Sequence, residues 1–370
     1  MSLAGFYRGK RVLVTGHTGF KGAWLAYWLR RMGAKVHGFA LAPAEGPNLA
    51  VDLGLPRMLE GHAIGDLRDA SAAAAALGDA RPDLVFHLAA QSLVRESYRD
   101  PVRTFDTNVV GTANLLEALR GTKATRVCVV TTSDKCYLNL GTGRAFREED
   151  PLGGDDPYSA SKAAQEHVVH AYRAVFAAHG GPSLSTARAG NVLGGGDWGL
   201  ERIIPDCARA VRQGSPVRLR NPYSIRPWQY VLDALHGYLL LAQRQWNDPT
   251  RAAGPWNFAP QPGAEPDVRH VVSMFLAELG RPAWKVEESE AKDAAHEAPT
   301  LRIDATKARR DLGWAPTQGV PQTLGHTARW YRGYLADPSA AQRLCDEAIE
   351  AFERAALPAT QVVSKEAPPR

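Results

Sequence analysis

Two short stretches hold the side chains best suited to moving protons. In Tyr158-Ser159-Ala160-Ser161-Lys162 a phenol and an ammonium stand four residues apart. On a helix that spacing puts both on one face. A free tyrosine titrates near pH ~10. A neighbouring cation stabilises the phenolate, lowers that value and makes a base for a hydroxyl proton. The second stretch, Thr131-Thr132-Ser133-Asp134-Lys135-Cys136-Tyr137, sets a hydroxyl, an acid and an amine in consecutive positions. Ser133 suffices to orient a hydroxyl-bearing substrate beside the tyrosine. Asp134 and Lys135 are then either further catalytic groups or a solvated loop pair.

A third stretch, Thr15-Gly16-His17-Thr18-Gly19-Phe20-Lys21-Gly22, directly follows an apolar run and opens a helical one. Glycines there permit a tight turn, close backbone approach to a pyrophosphate and close helix–strand packing. The helix start adds free N–H groups and the positive end of its dipole. The pattern points to a dinucleotide cofactor. An acid about twenty residues further on would bond the adenosine ribose, but the chain there reads Gly38-Phe39-Ala40-Leu41-Ala42-Pro43. NAD and NADP therefore both remain open, and Lys21 is either a solvated lysine or a contact for an extra phosphate.

These groups need a scaffold, and the first half of the chain supplies one. Apolar runs at Arg11–Thr15, Lys35–Phe39, His62–Ile64, Leu84–Leu88 and Arg126–Thr131 read as buried strands. Trp24, Leu25, Trp28, Leu29 and Met32 recur at helical spacing between the first two. Thr104–Arg120 carries a similar stripe through Val109, Leu115, Leu116 and Leu119. Such alternation predicts an α/β fold: a Rossmann-type doubly wound parallel sheet with helices on both faces. Catalytic groups in such sheets gather at the carboxyl ends of the strands, where Ser133 falls. Ala72–Ala76 reads as a surface helix. Past Gly190, glycine, proline, tryptophan and arginine become dense. The expected organisation is a dinucleotide-binding domain over residues 1–190, to which 225–250 returns through a helix at Leu232–Trp246. A smaller, mainly substrate-binding region over 191–335 follows, then a C-terminal helix over 336–370 with a disordered tail from Pro358.

Composition bounds the partners. Of 370 residues 45% are hydrophobic and 22% charged, which is globular usage. Lysine and arginine exceed the acids by 44 to 39, a net +5 that favours anionic ligands. No basic run could track a nucleic-acid backbone, and no apolar run is long enough to span a membrane. The N-terminus does not read as a secretory signal. Cys128, Cys136, Cys207 and Cys345 show no zinc spacing. They read as buried, reduced thiols of a cytoplasmic protein, and no metal site is expected.

The GxxGxxG spacing resembles the short-chain dehydrogenase/reductase superfamily. With GKRVLVTGHTGFKGAWL, HLAAQSLVR, TNVVGT, TSDKCY, DPYSASK, RAGNVLGGGDW, NPYSIRPWQ, GYLLLAQ, HEA (His296–Ala298) and IDATKARRDLGW, the chain resembles its extended members that act on nucleotide sugars, the 4,6-dehydratases. Within them it is most similar to those taking CDP-glucose. The match runs from about Phe6 to Trp330. The resemblance implies cofactor contacts from Gly16, Thr18, Gly19, Phe20, Lys21, Gly22, Leu88, Ala89 and Ala90, with Asp66 and Leu67 toward the adenine and Tyr158 and Lys162 toward the nicotinamide. It implies substrate contacts from Gln91, Ser92, Arg188, Asn191, Arg202 and Arg226. Guanidinium forks suit the oxygens of a diphosphate. Trp198 and Trp228 read as core, with cytosine stacking the alternative. Ser92 and Leu138 depart from the CDP-glucose pattern without removing a catalytic group.

In that light the acid–lysine pair has a task. Tyr158 takes the O4 proton of the sugar as C4 gives up hydride, Lys135 or a water it orients removes the acidified C5 hydrogen, and Asp134 protonates the departing C6 hydroxyl. A lysine base needs its charge suppressed by burial or a nearby cation. The implied product is a 4-keto-6-deoxy sugar for deoxysugar and surface-polysaccharide synthesis. A nucleotide-sugar 4-epimerase has no use for an elimination acid and base, so Asp134-Lys135 speaks against it. A dehydratase of another nucleoside-diphosphohexose and a non-catalytic NAD(H)-binding homologue are the remaining alternatives. The resemblance also implies a homodimer or dimer of dimers, paired through Thr104–Arg120 and Pro157–His179.

Overall fold

The strand-forming runs do become parallel strands in the computed structural model, which describes residues 2–261, 263, 265–288 and 300–362. β1 (Arg11–Thr15), β2 (Lys35–Ala40), β3 (Gly61–Ile64), β4 (Leu84–His87) and β5 (Val127–Thr131) all lie within a residue or two of expectation. Two further strands complete the sheet: β6 (Ser183–Ala189) and, after β7 (Asn191–Leu193), β8 (Val217–Leu219) and β9 (Trp228–Tyr230), β10 (Gly254–Phe258). The order is β10-β6-β5-β4-β1-β2-β3, with every pairing parallel. The order reverses beside β1, so a crevice opens between the carboxyl ends of β1 and β4.

Neither β6 nor β10 announces itself in the sequence. Ser185, Thr186 and Arg188 of β6 are polar yet buried, because each finds a partner: Ser185 donates to the Ala252 carbonyl, and Thr186 and Arg188 donate to Glu166. A central strand of this kind loses its apolar signature. β10 contains Pro255, which is tolerated because the strand lies at the sheet edge. The returning segment thus reaches beyond residue 250, since the seventh strand follows the helix Val231–Asn247.

Helices cover both faces. On one, Trp24 and Trp28 of the helix Phe20–Arg31 pack with Tyr238, Trp256 and Phe258. On the other, Leu13, Val85 and Val130 meet Leu77, Leu115, Leu116 and Leu184. The alanine-rich helix Ala70–Ala80 is exposed on one side only, as Ala73, Ala76, Leu77 and Ala80 are buried. The stripe at Thr104–Arg120 is not one α-helix: Pro101–Phe105 passes through a π-helical turn at Asp106–Val110 into Gly111–Arg120. That turn holds the Asn108 side chain inward, where it donates to Ser161 Oγ (2.9 Å) and the Gln91 carbonyl (3.0 Å).

Past Gly190, β7 pairs with β9, and β8 pairs with β11 (Val286–Glu288). Trp228 is buried and donates to the Pro266 carbonyl, while Trp198 packs against Tyr331 and Tyr334. Trp198 is a packing residue, whereas Trp228 packs on one side and on the other contributes to the wall of a cleft. The C-terminal helix is continuous over Ala341–Val362, so the chain stays helical past Pro358. His296 and the rest of the HEA segment lie outside the described residues, as do residues 363–370. All four cysteines are free and buried.

Candidate active site

The glycine turn leaves β1 at the crevice. Gly16 has φ +77°, and a Cβ there would lie 2.7 Å from the Ala89 nitrogen on the facing β4 loop. A Cβ on Gly22 would fall 2.0 Å from the Gly16 carbonyl oxygen. The turn is therefore as tight as a backbone allows. It feeds the helix Phe20–Arg31, whose N-cap Gly19 offers no side-chain acceptor. The first N–H groups stay available to an anion, a fit for a dinucleotide diphosphate. Thr18 is spent on the turn itself: its hydroxyl donates to the Leu41 carbonyl (3.0 Å), and its own carbonyl accepts from Asn48.

Tyr158 and Lys162 open the helix Pro157–His179. Pro157 fills the first position, and the Asp156 carboxylate caps the Ser159 N–H at 2.9 Å. Lys162 is buried behind the tyrosine, with Nζ 6.0 Å from the phenol ring centre. The ammonium donates to Gln165 Oε1 at 2.9 Å. Gln165 Nε2 in turn donates to Thr112 Oγ1, whose single proton goes to the Asn108 carbonyl. Thr112 Oγ1 can therefore only accept from His87 Nε2 (3.0 Å), which fixes the His87 tautomer. Thr15, at the root of the glycine turn, then donates to His87 Nδ1 at 2.7 Å. Burial lowers the His87 pKa to about 3, in keeping with this neutral ring.

Burial also sets the protons of the Tyr–Lys pair. The Lys162 pKa falls to about 7 through desolvation, with Lys21 adding to the effect. The spacing of the pair predicts that Lys162 lowers the Tyr158 pKa. Instead desolvation pushes it up to about 12, against a smaller lowering by the Ser133 hydrogen bond. Burial thus favours the neutral form of each group, and phenolate with ammonium is the proton tautomer of phenol with amine.

Ser133, Asp134 and Lys135 form one short turn at the end of β5. Ser133 Oγ donates to Asp134 Oδ1 (3.0 Å) and accepts from the Lys135 N–H (3.2 Å). Asp134 is buried, and among the described residues its Oδ2 has no hydrogen-bond partner. Desolvation raises its pKa, with Lys135 opposing, so the carboxyl is biased toward its protonated, donating form.

These groups line a cleft of about 330 Å³ together with Phe20, Lys21, Ser92, Asn191, Arg202 and Arg226. Arg202 pairs with Asp197 (3.1 Å) and donates to Ser92 Oγ (2.8 Å). Arg226 is buried against its own loop, with Nη1 2.9 Å from the Ile225 carbonyl. Lys21 is partly buried rather than freely solvated. It lines the cleft, with Nζ 6.0 Å from the Tyr238 ring centre, and burial lowers its pKa to about 8, Arg202 adding to the shift. Two expected substrate contacts are committed elsewhere. Gln91 spends its side chain on Thr104 and on Leu93 of its own loop. Arg188 is buried in an ion pair with Glu166 at 2.7 Å, away from the cleft wall. Asp66 is tied to Arg68 at 2.7 Å, and Leu67 is core. Asp197, Arg218, Arg220 and Asn221 also line the cleft. Of these Asp197 sits in the GGGDW run and Asn221 opens the NPYSIRPWQ run, while Arg218 and Arg220 carry no signal that separates them from surface polar residues.

Comparison with known proteins agrees with this geometry. The family model described as GDP-mannose 4,6-dehydratase matches residues 13–327. A CDP-glucose 4,6-dehydratase of Salmonella typhimurium is 42% identical over 89% of this chain and 92% of its own. A dTDP-glucose 4,6-dehydratase of Xanthomonas campestris is 30% identical over 86% and 92%. Among solved structures, a Thermus thermophilus UDP-glucose 4-epimerase complexed with NAD superposes with a TM-score of 0.75 at 28% identity, over 87% of this chain and 99% of its own. A dTDP-glucose 4,6-dehydratase of Streptomyces venezuelae with NAD bound gives 0.74 at 25%, over 89% and 99%.

Closing the glycine turn should abolish dinucleotide binding without unfolding the chain. Gly22→Ala is expected to weaken it by about 100-fold or more, equivalent to about 2.7 kcal/mol, in a fluorescence titration, with far-ultraviolet circular dichroism unchanged. Binding within threefold of wild type would show that the turn tolerates the methyl group.

Proposed function

As the chain belongs to the GDP-mannose 4,6-dehydratase family, we propose that it converts CDP-glucose to CDP-4-keto-6-deoxyglucose. It is an NAD-dependent nucleotide-sugar 4,6-dehydratase, a hydro-lyase, whose product type is a starting point for deoxysugar synthesis. The observation that carries the reading is one cleft lined by Tyr158, Ser133, Asp134 and Lys135. The CDP handle is supported by the 42% identity to an enzyme of that name.

Gly16, Gly19, Gly22 and the first N–H groups of the helix Phe20–Arg31 would hold NAD by its diphosphate, and the cofactor would supply a reversible hydride acceptor there. The protein handles the protons. Tyr158, as phenolate with Lys162 charged behind it, takes the O4 proton as C4 is oxidised, while Ser133 orients the hydroxyl. The C4 ketone acidifies the C5 hydrogen, and Lys135, directly or through a water, removes it. Asp134, held toward its protonated form by burial, delivers a proton to the C6 hydroxyl, which leaves as water. The proton returns to C5, and with the cofactor's hydride restored at C6 the sugar would show no net change of oxidation state, C4 being oxidised and C6 reduced. Arg202 and Arg226 offer the diphosphate its counter-charges, with Asn191 beside them.

The enzyme pairs into a homodimer, or a dimer of dimers, through the helical run from Pro101 to Arg120 and the tyrosine helix. Val102, Phe105 and Val110 are 77%, 38% and 47% exposed on that run, an apolar face that a partner would cover. Static light scattering should give at least twice the 40.1 kDa chain mass; a monomer at micromolar concentration would rule this out. The free, buried cysteines suit a reducing compartment and support a cytoplasmic location.

Turnover on a panel of CDP-, dTDP-, GDP- and UDP-hexoses tests the substrate. The alkali-sensitive 4-keto chromophore should form fastest from CDP-glucose, and a preference for another nucleotide would displace it. Lys135→Met should still reduce the cofactor yet block solvent deuterium entry at C5; normal entry would remove Lys135 as the base. Asp134→Asn should slow loss of the C6 hydroxyl by about 100-fold, within the range of one general acid.

The pH profile follows from the Tyr–Lys pair. Below about 7 the phenol and the amine both hold their protons, and nothing can accept the one on O4. The rate kcat/KM should fall about tenfold per pH unit below that point. A flat profile between pH 5 and 8 would sever the pair from the rate.

A further inference from the structure

Beneath the cleft lies a buried ion pair for which the mechanism has no direct use. Glu166 follows Tyr158 and Lys162 at four-residue intervals on the same helix. Its Oε1 accepts from Thr132 Oγ1 (2.5 Å) and Arg188 Nε (2.8 Å), and its Oε2 accepts from Thr186 Oγ1 (2.8 Å) and Arg188 Nη2 (2.7 Å). Arg188 carries the link onward: Nη1 donates to Tyr137 Oη (2.8 Å) and to the Glu148 carbonyl (3.2 Å). The guanidinium also lies over the Tyr137 ring, 4.9 Å from its centre. Both side chains are under 5% exposed.

Thr132 immediately precedes Ser133, and Tyr137 immediately follows Cys136. The pair therefore grips both ends of the turn that carries Ser133, Asp134 and Lys135, and does so from the helix that carries Tyr158 and Lys162. We propose that Glu166 and Arg188 are positioning residues: a clamp that fixes the acid–lysine turn against the tyrosine pair, so that oxidation at C4 and elimination across C5–C6 act on one sugar pose. The inference rests on the dehydratase reading above.

Physical chemistry favours a geometric role over a stabilising one. Replacing a buried ion pair by apolar groups of similar volume is often neutral or stabilising, so stability alone gives little reason to bury this one. A bidentate arginine–carboxylate contact fixes direction as well as distance. Misplacement by about 1 Å can cost about 100-fold in rate, and the two halves of this reaction sit on different elements.

Thr132→Val and Tyr137→Phe each cut one arm of the clamp without stranding a buried charge, and they are combined as a double variant. Glu166→Leu with Arg188→Met removes the clamp whole. For the Thr132/Tyr137 double variant, kcat with CDP-glucose should fall about 10- to 100-fold with KM within about twofold and a melting temperature lowered by only a few degrees. Reduced cofactor should build up relative to product, because oxidation outruns elimination. Thr132→Ser, which keeps the hydroxyl, should restore coupling. Arg188→Lys should not, because a point charge cannot replace the fork. Unchanged kcat and coupling in the double variant, with loss of melting temperature alone, would make the pair structural and overturn the proposal. Wild-type protein that turns over no nucleotide sugar would instead defeat the dehydratase reading, and the clamp with it.

Discussion

Lys162 lies out of water at the carboxyl edge of the sheet, and the elements around it make that tolerable. Burying an ammonium without partners costs several kcal/mol or forces it to shed its proton. The chain supplies neutral partners: an amide oxygen from Gln165, backed by Thr112, His87 and Thr15. The nearest carboxylate on the same helix, Glu166, is already committed to Arg188, which together with its hydrogen bonds overcomes burial and keeps the acid ionised. Lys162 is left with a weak hold on its proton, beside a phenol that burial makes reluctant to part with one. That balance ties the carboxyl ends of β1 and β4 and the tyrosine helix into one unit. The same dryness biases Asp134 toward donating a proton.

The motifs foretold the cleft better than its support. Gly16, Gly22, Ser133, Asp134, Tyr158 and Lys162 were all legible because their chemistry depends on residue type at short spacing. The first five strands were legible from their apolar runs. β6 was not, because its polar residues are paid for by partners far along the chain, which no local window reveals. Arg188 illustrates the cost of reading charge without burial: an arginine in a promising motif looks like a phosphate ligand until Glu166 is seen across from it. Lys21 looks like an ordinary solvated lysine in its motif because side-chain direction at a helix start is invisible to spacing, yet it lines the cleft. The π-helical turn at Asp106–Val110 likewise has no signature beyond a helical stripe, yet it is what turns Asn108 toward Ser161.

The edge strand β10 has a consequence of a different kind. An unpaired strand edge offers a row of donors and acceptors on which another chain can crystallise into sheet. Here Pro255 has no N–H to offer, and its carbonyl is already taken by Lys307 Nζ at 2.7 Å. Two residues on, and so on the same outward-facing side of the backbone, the Asn257 N–H is occupied by Glu148 Oε1 at 2.9 Å. One missing donor and two charged stoppers end the sheet at its seventh strand, leaving that border of the molecule unable to template the addition of an eighth.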